Sequence, residues 1–479
     1  MYTMMKIFQW NGGGSQSSVI ERAVSEKGLD IPALRAAMDG RVIVPGDAEY
    51  DAARTVFTGG IDRHPAAILR PRDTAEVAAV IALARQTGLE LAVRSGGHST
   101  AGFGVNEGGL VLDLSNLKSL DINTLGRSAW AGSGLTAVEY TQKVGEYGLA
   151  TGFGDTGSVG IGGITLGGGI GYLVRKYGMT IDSLLAAEIV TADGQVLIVD
   201  ENNHPDLFWA IRGGGGNFGV VTRFKFRLYE VGDILGGMLI LPATADVIAG
   251  VMQVANAAPD ELSLIANVMA APPMPFIPPE VHGKMIVMIL LAYAGSVEAG
   301  QRAVSPLKAL AAPLADMLRP MRYAELYPPD DETYHPTAAG WNMFIDHVDQ
   351  ATAQTILDFL QNSDAVMRVA QLRPLGGAMG RVPADATAFA HRKSPIMVNL
   401  AAFYTSPEDK AVRQAWIEKF AAAIDQGDPA VYSNFMGDEG MARVQAAYPG
   451  ETWERLRRIK RQYDPSNLFH LNQNIPPAD

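Results

Sequence analysis

The densest run of small residues lies between Gly152 and Gly171, where eleven of twenty residues are glycine or serine. This run is too rich in glycine for the interior of a regular helix or strand, because glycine loses much conformational freedom on folding. Glycine is favoured where the backbone lies against a flat or anionic group, or where it packs closely against other protein. The run therefore predicts either a ligand-facing loop or a tightly packed turn.

A second glycine turn spans Val93 to Ser99 and follows the apolar segment 91–93, which is predicted to form a strand. Its glycines permit positive φ angles and a close approach of the backbone to a ligand. Successive amide groups in such a turn can hold an anion, Arg94 adds a positive charge, and His98 places an imidazole at the end of the loop. We expect a phosphate-bearing cofactor here; the alternative is a plain glycine turn with a structural histidine.

A third glycine cluster, Gly214 to Gly219, matches the G-x-G-x-x-G pattern of dinucleotide-binding sites. That pattern requires a strand before it and a helix after it, so that the pyrophosphate meets a helix N-terminus. Here a predicted helix, residues 206–212, precedes the glycines, and a predicted strand, residues 221–228, follows them. The order is inverted, which excludes a Rossmann-type site.

Charge and composition limit the partners of this 479-residue chain. The formal net charge of −12 argues against nucleic acid as a partner, because such binding relies on basic patches. The absence of cysteine excludes disulfides and cysteine nucleophiles, and the scattered histidines form no metal-binding pattern. No apolar stretch reaches the roughly 20 residues needed to cross a bilayer, and no signal peptide is evident, so we expect a cytoplasmic location.

The length of the chain predicts two or three domains. The distribution of glycine and proline divides it into four parts. Residues 1–40 are predicted to be an N-terminal extension, with a flexible Gly/Ser linker at 11–18. Residues 41–230 alternate short strands, helices and glycine turns. Prolines cluster in the predicted second domain, 231–438, and a C-terminal segment, 439–479, follows. The pattern as a whole indicates an α+β protein.

Several helix and strand boundaries follow from local signals. A helix is predicted to begin at Asp73 or Thr74 and to end at Gly88, and another to begin after Thr136. The turn Asp193-Gly194 lies between two short apolar runs, which is typical of a β-hairpin.

Four motifs in a fixed order carry a specific resemblance: Val93–Ser99, Gly152–Gly171, Asp206–Val221 and Tyr463–Pro477. With them the chain resembles the berberine-bridge-enzyme-like branch of the vanillyl-alcohol-oxidase flavoprotein family. The resemblance implies a PCMH-type FAD-binding domain in two α+β parts. It also implies a substrate domain, an antiparallel sheet with helices, placed over the flavin, and a last segment that returns to the FAD domain.

The same resemblance implies that FAD is bound through a covalent link from His98 to the flavin 8α-methyl group. Some relatives add a link from a cysteine that aligns with Thr156, and this chain has no cysteine, so a single link is expected. The residues expected to bind FAD are Arg94, Ser95, Gly96, Gly97, His98, Ser99, Gly157, Ser158, Val159, Gly162, Gly163, Gly167, Gly168, Tyr172, Gly219, Val220, Val221, Asn472 and Asn474.

Four residues are candidates for catalysis. Tyr432, in a short segment that resembles a strand, is the first candidate for the base that removes a substrate proton; its pKa must then be lowered, and Arg373 is a candidate for lowering it. Gln371 and Arg373 share one face of a predicted strand, since side chains alternate. Relatives carry a carboxylate where Arg373 stands, so an anionic or polar substrate is favoured unless this arginine is an ordinary surface residue. Asn399, in an otherwise apolar strand, faces either the core or the pocket.

The resemblance implies hydride transfer from a small organic substrate to flavin N5, with O₂ as the final acceptor and H₂O₂ as product. Val159 occupies a position that lines the approach of O₂ in the family, where valine accompanies reaction with O₂ and leucine does not. The alternatives are a dehydrogenase with another acceptor and a flavin-binding protein without turnover. A sugar lactol, a secondary alcohol, an amine heterocycle and a polyketide hydroxyl all remain open as substrates, as does the oligomeric state.

Overall fold

The computed structural model describes residues 19–20, 23–25, 28–327, 331 and 333–479. The chain forms an α+β structure with three main sheets, here called the first, second and third sheet in order along the chain. Among the described residues, no helix has both the length and the apolar character that a bilayer crossing requires.

The first sheet is small and largely parallel. Its strands, in spatial order, are Val42–Ile43, Ala67–Leu69, Leu110–Asp113 and Leu91–Arg94. The inner strands are apolar because parallel strands are covered on both faces. The helix Thr74–Thr87 begins where the Asp73 carboxylate accepts from the Glu76 amide at 2.9 Å, and it ends at Gly88 with φ 67°. Both predicted ends of this helix are confirmed.

The predicted N-terminal extension is more ordered than expected where the structure describes it. Short strands Val24–Ser25 and Gly28–Leu29 pair, and a helix spans Ile31–Ala37. The Asp30 carboxylate caps that helix by accepting from the Ala33 amide at 3.0 Å, and Leu34 is buried against the first sheet. Residues 31–40 therefore belong to the core of this part, because their apolar side chains cover the sheet. The predicted linker 11–18 lies outside the described residues.

The second sheet is antiparallel. Its strands, in spatial order, are Val196–Val199, Leu184–Val190, Val220–Arg227, Ser128–Gly132 and Leu120–Asn123. The first two form the hairpin predicted across Asp193-Gly194. The helix Ala137–Gly145, capped by Thr136 as predicted, and the helix Pro205–Ala210 pack their apolar residues into the core of this sheet.

The third sheet contains eight strands and carries four long helices on one face. Its main strands, in spatial order, are Ala315–Asp316, Ile234–Pro242, Met285–Tyr293, Leu262–Ala270, Arg368–Pro374, Ile396–Phe403 and Ala338–Ile345, with Arg319–Met321 beside Ile234–Pro242. The helices are Ala245–Ala257, Val297–Lys308, Gln350–Gln361 and Pro407–Ile424.

Successive side chains of the third sheet point to opposite faces. Leu372 and its alternating neighbours fill the core under the four helices. On the other face, Ile265 packs with Tyr172, and Met397 packs with Tyr432. The glycine-rich segment therefore packs against this second face of the third sheet.

The remaining elements connect these sheets. The helices are Tyr50–Arg54, Ile161–Gly167, Val174–Tyr177, Gly377–Arg381, Met441–Ala447 and Glu451–Tyr463. The 3-10 turns are Leu114–Asn116, Thr180–Ser183, Pro279–Val281, Tyr323–Leu326 and Ser433–Phe435, and a short ladder joins Leu149–Ala150 to Tyr229–Glu230.

The C-terminal part returns to the core of the second sheet. Val431 and Met436 already pack in that core, so the return starts before residue 439. Lys460 is fully buried and pairs with Asp464 at 2.7 Å, and its ammonium group also donates to the carbonyl of Phe469 at 2.9 Å. Breaking such a buried pair leaves an uncompensated charge, so this pair fixes the tail in place.

Candidate active site

The loop that carries His98 leaves the carboxyl end of the strand Leu91–Arg94. The His98 ring stacks on Phe57, with ring centroids 4.1 Å apart and an interplanar angle of 18°. Gly97 has φ 71°, and its carbonyl accepts from the Phe57 amide at 3.1 Å. The half-buried imidazole is thereby held in a fixed orientation, while Ser99 beside it is also half-buried.

Arg94 does not supply the free positive charge expected of it. Its guanidinium is buried and pairs with Asp113 at 2.9 Å. Asp113 also accepts from Arg70 Nε at 2.9 Å. Burial opposes ionisation of Asp113, but the two guanidinium groups hold its pKa below the usual range. Arg94 thus ties two strands of the first sheet together and shares the Asp113 carboxylate with Arg70.

The glycine-rich run meets the His98 loop backbone to backbone. A Cβ at Gly96 would overlap the backbone nitrogen of Gly160, so neither position has room for a side chain. The Ser95 hydroxyl donates to the Ser133 carbonyl at 2.6 Å and accepts from the Gly162 amide at 3.2 Å. These contacts join the first sheet to the second at the predicted cofactor loops.

Part of the glycine-rich run is helical, contrary to the expectation that it lacks regular structure. The helix Ile161–Gly167 forms here because its glycines permit close packing on both sides. A Cβ at Gly167 would overlap the Asn434 side chain, and one at Gly168 would lie 3.1 Å from the Tyr432 ring. Gly163 faces open space and is exposed. The tight contacts, rather than an irregular backbone, explain these glycines.

In the segment before this helix the backbone is bonded to a neighbouring helix, while some side chains remain half-buried. The Gly157 and Val159 carbonyls accept from the amides of Val138 and Ala137 at 2.9 and 2.8 Å. The side chains of Ser158 and Val159 remain half-buried. The helix Ala137–Gly145 therefore fixes this loop from behind.

The C-terminal tail completes the same region. The Asn217 amide donates to the Gln473 carbonyl at 3.1 Å, and its oxygen accepts from the Ile475 amide at 2.9 Å. Within the described part of the chain, the buried side-chain oxygens of Asn472 and Asn474 have no hydrogen-bond partner. The tail thus carries two unpaired acceptors on either side of Gln473, whose carbonyl Asn217 binds.

Gly219 and the two valines after it are part of the core. Gly219 has φ 154°, and a Cβ there would lie 2.6 Å from the Val190 carbonyl oxygen. Val220 and Val221 are buried in the cores beside the first and second sheets. Any contact from this segment to a ligand is therefore made by backbone. The inverted order around Gly214–Gly219 is confirmed, since the helix Pro205–Ala210 precedes it and a strand follows.

Four amide side chains form a row across neighbouring strands of the third sheet. Gln371 is directly opposite Asn267 and Asn399, and Asn399 is directly opposite Asn342. Directly opposite residues share a face, and this face is the one turned away from the four helices. Gln371 Nε2 donates to Asn267 Oδ1 at 2.9 Å. Asn399 is half-buried and makes no side-chain hydrogen bond to other described residues.

Arg373 lies beside this row and is not a surface residue, being only 3% exposed. Its Nε donates to Gln371 Oε1 at 2.8 Å, and its Nη2 pairs with Asp155 Oδ2 at 2.7 Å. The guanidinium carbon lies 5.0 Å from the centre of the Phe435 ring. Asp155 belongs to the glycine-rich run, so this ion pair connects that run to the third sheet.

Tyr432 lies at the junction of these elements, just before the 3-10 turn Ser433–Phe435 rather than in the predicted strand. Its hydroxyl accepts from the Gly169 amide at 2.8 Å and from Asn434 Nδ2 at 2.9 Å. Burial raises the pKa of Tyr432, although those two donors and the Arg373 charge act in the opposite direction. The expected lowering by Arg373 is therefore outweighed by desolvation.

Tyr172 lies in a buried group of phenols beside Asp155. It packs with Tyr323 and Tyr327, whose hydroxyls are 3.2 Å apart. Burial raises the pKa of Tyr172, and the Asp155 carboxylate raises it further. These contacts place Tyr172 beside the polar row rather than beside the His98 loop. It is uncharged at neutral pH.

Sequence reasoning missed Asp155, Asn267, Asn342 and Asn434 as members of this site. Asp155 had a signal, because it is a charged residue in a run of glycines next to Thr156. Asn267 and Asn342 each interrupt an apolar strand, as Asn399 does. Which strands are neighbours, and hence that these amides align, is set by the sheet order.

The residues present fit FAD. The backbone at Gly96, Gly97 and Gly163 carries no side chain, and His98 ends the same loop. The unpaired oxygens of the asparagines in the tail are suited to accept hydrogen bonds. The loops between the first and second sheets would hold the cofactor, and the polar row of the third sheet would face it.

Comparison with known proteins agrees with this geometry. The FAD binding domain family matches residues 65–200, and the family of berberine and berberine-like proteins matches residues 431–476. The FAD-linked oxidoreductase YgaK of Bacillus subtilis is 30% identical over 452 residues, covering 92% of this chain and 97% of that protein. The (R)-6-hydroxynicotine oxidase of Paenarthrobacter nicotinovorans is 29% identical, with coverage of 92% and 97%.

A solved structure gives the same result. The crystal structure of 6-hydroxy-D-nicotine oxidase from Arthrobacter nicotinovorans superimposes with a TM-score of 0.81 and 26% identity, covering 91% of this chain and 98% of that one. Fold and site thus define an FAD-linked oxidoreductase. The chain belongs to the berberine-bridge-enzyme-like family of these flavoproteins, as its motifs predicted, and the α+β fold with a PCMH-type FAD-binding domain is confirmed.

The contact at Gly96 gives a first testable prediction. Gly96→Ala places a methyl group against the backbone nitrogen of Gly160, and such overpacking typically costs about 1–3 kcal/mol. We expect the two cofactor loops to separate, so that the purified protein carries less flavin. The measurement is the ratio of flavin to protein absorbance. Gly145→Ala, at a position with no atom within 4 Å of the new Cβ, serves as the matched control; equal flavin content in both variants would contradict the prediction.

Proposed function

We propose that the protein is an FAD-dependent oxidase of a small organic molecule, with its flavin held covalently by His98. The observation that carries the proposal is that the glycine-rich run meets the His98 loop at Gly160 and meets Tyr432 and the polar face of the third sheet at Gly169 and Asp155. The oxidase name of the relative from Paenarthrobacter nicotinovorans supports it. Bound FAD would accept a hydride from substrate carbon and pass the electrons to O₂.

The protein supplies position and polarity to such a reaction. The third sheet covers the glycine-rich run and restricts access of water from that side. Gln371, Arg373 and Asn399 place polar groups on the covered face. Tyr432 is proposed as the group that takes the substrate proton, since the two N–H donors on its oxygen stabilise the phenolate form that acts as the base.

His98 is proposed as the point of covalent attachment because its ring is oriented by Phe57 at the end of the glycine loop. After precipitation of the wild-type protein in acid, flavin is expected to stay with the protein. In His98→Ala it is expected in the supernatant or absent. His64→Ala, which changes an exposed histidine, should behave like the wild type. Free flavin from the wild type would show that the link does not form.

The base role of Tyr432 predicts a particular pH dependence. Because the pKa of Tyr432 is raised, the phenolate is a minor species at neutral pH and grows by about tenfold per pH unit. The rate of flavin reduction by substrate should therefore rise with pH. Tyr432→Phe should retain the flavin, reduce it about 10²–10⁴ times more slowly, and lose the rise. Stopped-flow reduction across a pH series measures both; wild-type behaviour in the variant would show that Tyr432 is not the base and would turn attention to the polar groups Gln371, Arg373 and Asn399.

Reaction with O₂ is proposed to depend on the half-buried Val159 in the loop fixed by the helix Ala137–Gly145. Leucine would add one methylene to this loop and reduce the space available to O₂. Val159→Leu should be reoxidised by air-saturated buffer clearly more slowly than the wild type, and H₂O₂ should form correspondingly more slowly. Val412→Leu changes an exposed valine and is the control. Wild-type reoxidation that takes many minutes would favour a dehydrogenase with another acceptor.

A further inference from the structure

On the polar face of the third sheet a buried cation, Arg373, pairs with a carboxylate, Asp155. We propose that this pair makes the substrate site electrically neutral, so that it binds an uncharged oxygen group, a carbonyl or hydroxyl, and rejects a carboxylate. This proposal rests on the proposed function, since it assigns the class of substrate that the oxidase takes.

Two of the three guanidinium nitrogens of Arg373 already have an acceptor. Its Nε and Nη2 are engaged by Gln371 and Asp155, at 2.8 and 2.7 Å. Its Nη1 is buried and has no hydrogen-bond partner within the described part of the chain. A buried donor without a partner is unfavourable, and arginine has no acceptor of its own. An oxygen atom of the substrate is the group that this nitrogen lacks.

The guanidinium is also held rigidly. Gln371 Oε1 accepts from it while Gln371 Nε2 donates to Asn267, and Asn267 Nδ2 donates to the Met288 carbonyl at 3.3 Å. The ring of Phe435 lies 5.0 Å from the guanidinium carbon. Nη1 therefore points in one fixed direction, because Gln371, Asp155 and the Phe435 ring hold the rest of the guanidinium group.

Charge decides what kind of oxygen fits. Four phenols surround the pair, and burial raises the pKa of each, so they are uncharged at neutral pH: Tyr172, Tyr323, Tyr327 and Tyr432. Asp155 therefore compensates Arg373 fully. A carboxylate at Nη1 would be a second anion facing one buried cation, which is unfavourable in a poorly solvated site. A neutral oxygen satisfies the donor without adding charge.

The amide row also favours a ligand with uncharged oxygen groups. Asn399 is half-buried on this face and makes no side-chain hydrogen bond to other described residues. An amide provides both a donor and an acceptor, as a hydroxyl group does. The row therefore matches a ligand that carries hydroxyl or carbonyl groups, and it presents no charge to an ion. This replaces the anionic substrate that Arg373 alone favoured.

The test compares two ligands of one shape, benzamide and benzoate, by titration calorimetry on the purified holoprotein at constant ionic strength. The wild type should bind benzamide at least as tightly as benzoate. Asp155→Asn leaves the cation unopposed and should raise the affinity for benzoate relative to benzamide at least tenfold. Asp155→Glu should restore the wild-type ratio, and Asp206→Asn, which disrupts an exposed pair with Arg455, should not change it.

Arg373→Gln gives an independent arm, since it removes both the donor and the charge. It should weaken benzamide binding at least tenfold while leaving the flavin content unchanged. A wild-type preference for benzoate, or an Asp155→Asn ratio equal to that of the wild type, would overturn the proposal. A protein purified without flavin would instead contradict the proposed function, because flavin content is read separately from the ratio of affinities.

Discussion

The site depends on the meeting of two backbones at Gly96 and Gly160. A side chain at either position would overlap the backbone of the other loop. The two loops can therefore make backbone contact only because both residues are glycine. Ser95 secures the contact through its two hydrogen bonds. The consequence is that His98, at the end of the same loop, lies close to the glycine-rich run, as the proposed cofactor site requires.

The third sheet supplies the other wall of that site. One of its faces packs in the apolar core under four helices, and the other packs against the glycine-rich run and Tyr432. Polar groups on this second face are buried at an interface, so each requires a partner. The bond between Gln371 and Asn267, the pair between Arg373 and Asp155, and the donors on Tyr432 meet part of this requirement within the protein. Arg373 Nη1 and Asn342 Nδ2 are buried without a partner among the described residues.

The C-terminal tail closes the arrangement. The buried pair of Lys460 and Asp464 holds the turn at Phe469, and Asn217 holds the residues after it. The tail can bring Asn472 and Asn474 to the cofactor loops because the turn before them is fixed by a charge that has no other counter-ion within reach in the described chain. A late segment of sequence thus completes a site begun by residue 94.

The sequence by itself determined the family, the cofactor, the two-part α+β FAD domain and many element boundaries. Those properties follow from local signals: glycine positions, helix caps such as Asp73 and Thr136, and motifs in a fixed order. Only the tertiary structure decided that Arg94 and Arg373 pair with buried or half-buried carboxylates, that burial raises the pKa of Tyr432, and that four amides lie in one row. The physical reason is that charge compensation and desolvation depend on distances between residues far apart in the chain, which no local pattern encodes.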